Sequence, residues 1–308
     1  MKDLLSGLSA GGWGLLAGWI IPAAAAVALF AYVVLPDIPC DFADDVGELT
    51  AAEQAAALTF TGVGVGFLLS ALQVPLYRLL EGYLWPASWR VRAIERHTKR
   101  RAQLREQLAS ATSDLEYGLI LERLQRYPTL DGQIAPTMLG NTIRSFEAYG
   151  WDKYRLDSQT LWSELEALVP EPLRVALERA RVPVDFAVSL VYLSALVGLI
   201  SLGAALFGDA DAKLFVIAVI ALGLSPFWYR VAVLSTSEWY ASVQALVNLG
   251  RAPLAQAMGL QIPATLEEER RMWENLTTFV SSEETESAIA LDSYRERHPR
   301  PPSASGDD

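Results

Sequence analysis

Histidine and cysteine are almost missing from this sequence. Cysteine occurs once, at Cys40, and histidine twice, at His97 and His298. A single thiol excludes paired-cysteine redox motifs and multi-cysteine metal centres by count. Neither histidine has a nucleophile or a further ligand at motif spacing, which leaves a His-centred catalytic or metal site unsupported. Alternating β-branched runs long enough for a sheet are missing as well, so the expected fold class is all-α.

Charge is missing locally rather than overall. The chain is 20% charged with a net charge of −11, yet 52% of it is hydrophobic. No Asp, Glu, Lys or Arg occurs between Asp3 and Asp37, between Glu53 and Arg78, between Asp185 and Asp209, or between Lys213 and Arg230. A helix needs about 20 apolar residues to cross ~30 Å of hydrocarbon. Three windows meet that length. The fourth holds sixteen residues inside its charges, but Lys213 and Arg230 sit where long side chains reach the headgroups. Four transmembrane helices are therefore expected near 13–36, 57–79, 186–208 and 212–234. Lys2 precedes the first run, but that run is about twice the length of a signal-peptide core, so it reads as a retained anchor.

Basic residues set the expected orientation, because short Lys/Arg-rich loops stay in the cytoplasm. Arg78, Arg90, Arg92, Arg96, Lys99, Arg100, Arg101 and Arg105 follow the second span, whereas the 37–53 loop holds six acids and no base. Both termini and the 81–184 region are thus expected in the cytoplasm. Trp13, Trp19, Tyr83, Trp85, Trp89 and the Phe227-Trp228-Tyr229 trio stand where interfacial anchors belong.

The expected organisation is a first transmembrane hairpin (1–80), a helical cytoplasmic domain (81–184) and a second hairpin (185–234). Cytoplasmic helices (235–280) and a disordered acidic tail (281–308) follow. A basic helix is read over 88–111, and Pro183 is expected to break the chain before the third span. Ser113-Asp-Leu-Glu116, Ser235-Thr-Ser-Glu238 and Thr265-Leu-Glu-Glu268 read as capping boxes, with Gly250 as the stop of the helix that the second opens. Trp162-x-x-Leu165-x-x-x-Val169 matches Trp273-x-x-Leu276-x-x-x-Val280, which leaves open whether the two halves are a repeat.

Residues 136–182 contain Pro136-Thr-Met-Leu-Gly-Asn141, Arg144, Glu147, Tyr149, Tyr154-Arg-Leu-Asp157, Leu161-Trp162-x-x-Leu165 and Val169-Pro-Glu-Pro172. With Met258-Gly-Leu-Gln-Ile-Pro-Ala-Thr and Trp273, this resembles a family of uncharacterised bacterial multi-pass membrane proteins with four spans. The resemblance implies a bacterial inner-membrane location and carries no activity, cofactor or site residue with it.

Gly62, Gly64 and Gly66 lie inside the second span, where small residues let helices approach; helix packing is the reading, not phosphate binding. Arg90, Arg92, Arg96, Lys99, Arg100 and Arg101 are expected to contact anionic lipid headgroups, which disfavours nucleic acid as their partner. Trp162 and Trp273 are the candidates for a cytoplasmic partner surface. No cofactor and no enzymatic activity are expected. The functional expectation is a non-enzymatic membrane adaptor or sensor whose cytoplasmic helices bind a protein partner. The alternative is a homo-oligomeric ion channel or membrane-permeabilising effector gated by the cytoplasmic domain.

Overall fold

The computed structural model describes residues 10–38, 41–207, 212–281 and 286–295. Cys40, the turn after the third apolar run and the tail beyond 295 lie outside them. The described residues form an all-α protein, with one isolated bridge between Leu260 and Arg295 as their only β pairing. Four helices are long and apolar enough to cross a membrane: Gly12–Asp37, Ala51–Ala71, Glu171–Phe207 and Ala212–Ala257.

The first, α1 (Gly12–Asp37), alternates α turns with two π turns, Leu16–Ile20 and Phe30–Val34. Pro22 has no N–H to offer the Gly18 carbonyl four residues back. Ser189 Oγ donates to that carbonyl instead, at 3.1 Å. After the short α2 (Asp41–Glu48), α3 (Ala51–Ala71) starts on a complete capping box, Thr50 with Glu53. It breaks at Leu72, three residues before the amide-less Pro75, and resumes as α4 (Gln73–Leu80). Two glycines seat α3 on α1. A Cβ on Gly62 would lie 2.7 Å from Ala24 Cα, and one on Gly66 2.7 Å from Ile20 Cα. Gly64 meets nothing within 4 Å, so it takes no part in that contact.

Next come α5 (Ala87–Ser110) and α6 (Asp114–Gln125), which share a core of Leu104, Ile120 and Tyr127. Ser113 caps α6 at 3.2 Å, while the Glu116 carboxylate reaches back to Thr112 rather than to the cap residue. α7 (Met138–Glu147), α8 (Tyr149–Tyr154) and α9 (Trp162–Leu168) lead into α10 (Glu171–Phe207). α11 (Ala212–Ala257), α12 (Leu266–Ser281) and α13 (Glu286–Leu291) complete the chain.

Three expected boundaries are wrong, two because packing overrides local punctuation and one because hydroxyls turn back onto their own helix. Pro183 does not end a helix but lies inside the 37 residues of α10. An interior proline costs about 3 kcal/mol, but Ala180, Val184, Asp185, Ala187 and Val188 around it are all buried. Ser235-Thr-Ser-Glu238 opens no helix, since α11 runs straight through it. Thr236 and Ser237 instead turn their hydroxyls back onto Val233 O and Leu234 O, the habit of these residues within a helix. Gly250 stops nothing. A Cβ there would sit 3.0 Å from Leu165 Cδ2 and 3.1 Å from Val169 Cγ1, so the glycine makes room for α9. The helix ends after Ala257, where Gly259 takes φ +71°.

Contacts group the chain into two units. One comprises the described residues up to Arg144 with Val175–Ser242; the other comprises Ser145–Arg174 with the described residues from Val243 on. The second has its own core, including Leu156, Leu161, Leu165, Leu246, Leu254, Met272, Trp273 and Leu276.

Candidate functional site

On α5, Ala93, Arg96, His97 and Arg100 follow the i, i+3, i+4, i+7 spacing that puts side chains on one helical face. They line a cavity of about 660 Å³ at the foot of α4. Leu79, Leu80 and Trp85 supply an apolar wall, and Pro136, Met138 and Tyr229 close it. The Pro136–Asn141 segment is held there by close approach and by a buried amide. A Cβ on Gly140 would meet Glu81 O at 2.9 Å, and Gly82, at φ +86°, lies under Pro136. Asn141, fully buried, accepts from Ala135 N and donates to Ala135 O and Thr137 O at 2.7–2.9 Å.

The cavity's polar groups are oriented. The His97 ring Nδ1 lies 3.2 Å from the Tyr127 hydroxyl. Burial, with the neighbouring Arg96 guanidinium, holds its pKa below the ordinary 6.5. Burial likewise raises that of Tyr127. Tyr229 OH accepts from Leu139 N at 3.1 Å, so its own proton points elsewhere. Among the described residues, neither Arg96 nor Arg100 has an ion-pair partner, and no carboxylate lines the cavity.

The six basic residues expected at headgroups divide by position. Arg90, Arg92, Arg96, Lys99 and Arg100 are all exposed, but Arg96 and Arg100 alone among them line the cavity, and Arg90 reaches Tyr83 O at 3.4 Å instead. Arg101 is no headgroup contact. It is 2% exposed, donates to Pro128 O at 2.6 Å and Thr129 O at 3.3 Å, and pairs with Asp131. It closes the loop after α6. Trp19, expected at an interface, is 2% exposed and hydrogen-bonds to Asp185.

That carboxylate centres a second polar group. Tyr77 OH donates to Asp185 Oδ1 at 2.7 Å, and Arg181 Nε lies 3.5 Å from Oδ2. The Arg181 guanidinium also stands over the Trp239 ring, 5.5 Å from its centroid. A Cβ on Gly18 would meet Asp185 Cβ at 2.9 Å, so glycine there admits α10 to α1. A second cavity, about 560 Å³, lies between α1, α2, α3 and α10; Tyr32, Gln54 and Thr61 are the polar exceptions in its lining.

In the other unit, Glu269 is buried, pairs with Arg251 and accepts from Trp273 Nε1 at 3.1 Å. Arg251 stacks on Tyr154, 4.5 Å from its ring centroid, and Tyr154 OH donates to Asn248 Oδ1 at 2.9 Å. Trp273 is fully buried, which removes it from any partner surface: its indole fills the core and its N–H is satisfied inside. Trp162 is half-buried. The large apolar residues that α12 exposes are Leu266 at its start and the adjacent pair Phe279 and Val280 near its end, 46% and 43% accessible. Val280 therefore does not repeat the environment of the buried Val169. Asp157 caps its own turn through Gln159 N and Thr160 N, and among the described residues no three His, Cys, Asp or Glu side chains converge.

Reasoning from sequence placed the basic run but missed Tyr127 and Tyr229 as its companions, and it treated Asp185 only as the edge of an uncharged window. The 93/96/97/100 spacing was the one available signal for the cavity. No protein-family model, curated protein or solved structure matches the chain.

Proposed function

We propose that this chain is a non-enzymatic integral membrane adaptor or sensor: four apolar helices anchor it, and its remaining helices bind a protein partner. The observation that carries this reading is the second unit, a helical body with its own buried core and an exposed apolar pair, Phe279 and Val280, on α12. Exposed apolar clusters away from lipid mark interaction surfaces. The bias of Lys and Arg supports an arrangement with both termini and the 81–184 region in the cytoplasm. The family resemblance supports the bacterial inner membrane.

Affinity capture of the full chain from detergent-solubilised membranes tests the reading. A specific protein should be retained by wild type and lost with Phe279→Ser/Val280→Ser; recovery of nothing specific by wild type removes the proposal. Planar-bilayer recording separates it from the alternative of a homo-oligomeric channel or permeabilising effector. Reproducible conductance by the purified chain would favour that alternative.

A further inference from the structure

We propose that the cavity between α5, α7 and the foot of α4 is a single-occupancy binding site for a phosphate-bearing anion. The inference is independent of partner binding, because it rests on different residues. Two guanidinium groups, Arg96 and Arg100, reach one cavity from successive turns of one helix face, and no carboxylate among the lining residues neutralises them. In a chain of net charge −11, such an arrangement is not the average surface. Guanidinium groups match phosphate oxygens in charge and in the geometry of paired N–H donors.

Two neighbours, Tyr229 and the start of α7, add to the anion preference, and a third, His97, borders the same space. His97 lines the same wall, and its Nδ1 contact with Tyr127 fixes the ring with its other nitrogen free of that bond. Tyr229 OH accepts a hydrogen bond from the Leu139 amide and so keeps its own hydroxyl proton to donate. The ten-residue α7 begins at Met138, which also lines the cavity, so the positive end of its dipole lies there. Leu139 and Gly140 N–H are already bonded to Tyr229 OH and Thr137 Oγ1; the helix contributes its field rather than free amides.

The size and the rest of the lining constrain the ligand further. A water molecule takes about 30 Å³ of liquid volume, so about 660 Å³ holds much more than a bare phosphate. Leu79, Leu80 and Trp85 give the cavity an apolar side at the end of α4. The shared chemistry is a phosphate group on a partly apolar carrier. A phospholipid headgroup has it, and so does a soluble phosphate ester.

The test uses the full chain in neutral detergent, titrated in one arm with phosphatidylglycerol and in the other with inorganic phosphate. Retention is read by native mass spectrometry, and the unfolding midpoint is followed in both arms. Arg96→Gln/Arg100→Gln is compared with Arg90→Gln/Arg92→Gln, which removes the same charge from the same helix outside the cavity. The expected result is about one anionic ligand per chain, weakened at least about tenfold by the cavity pair and less than about threefold by the control pair. Binding of the lipid alone assigns the site to a headgroup; stabilisation by inorganic phosphate as well assigns it to phosphate itself. Equal weakening by both pairs means diffuse attraction and overturns the proposal, as does the failure of both probes to bind wild type. If the cavity pair does not fold, single Arg100→Gln carries the comparison.

Discussion

Arg101 and Arg105 are four positions apart on α5 and would be interchangeable in a count of basic charge. Their surroundings separate them. Arg101 satisfies two carbonyls and an aspartate from a buried position, whereas Arg105 is exposed and its single contact to Thr129 O is 3.5 Å. Arg101→Ala should lower stability by roughly 2–4 kcal/mol, and Arg105→Ala by less than about 0.5 kcal/mol, read as unfolding midpoints in detergent. Removing the Tyr77 hydroxyl by Tyr77→Phe leaves a buried carboxylate one donor short, a loss of about 1–3 kcal/mol. His97 adds a pH dependence. Its folded pKa lies below the ordinary 6.5, so below pH 6.5 the unfolded chain takes up the proton first. The stability from neutral His97 is complete above that pH and is lost as pH falls through the folded pKa. In phosphate-free buffer the midpoint of wild type should fall between pH 7 and 5.5 more steeply than that of His97→Asn. Parallel curves would show that His97 is not desolvated.

Helices were far more legible than their ends. The uncharged windows identified all four apolar helices because hydrocarbon length and backbone satisfaction allow few other outcomes. The ends were read from proline, glycine and hydroxyl signals whose effects are tenths to a few kcal/mol, small enough for buried neighbours to reverse at Pro183 and Gly250. The same limit explains Trp273: a helix face shows which residues share a side, not whether that side meets a partner or its own core. The cavity was half legible, because α5 spacing is local while Tyr127 and Tyr229 reach it from distant segments. Packing of α3 on α1 gives a direct test of what spacing alone leaves open. Gly66→Val places a branched carbon against the Ile20 backbone and should cost about 1–3 kcal/mol. Gly64→Ala, which meets no neighbour, should leave the midpoint unchanged or slightly raised. Equal losses would mean that glycine serves α3 through flexibility rather than contact.

On the scale of the molecule, four crossings are an even number, so both ends of the chain should emerge on one side. Reporter fusions at residue 1 and residue 308 should give the same compartment signal, and opposite signals would mean that one of the four helices lies along the surface instead of through the bilayer. The polar centre of the first unit bears on how this arrangement is reached. Its contributors, Gly18 and Trp19, Tyr77, Arg181 to Ser189, and Trp239, are strung across most of the chain. During synthesis, α1 is made long before the serine that will serve its Gly18 carbonyl exists. The N-terminal hairpin must therefore wait in an unfinished state, and an intermediate cut short before α10 should be the form most readily cleared by membrane proteases.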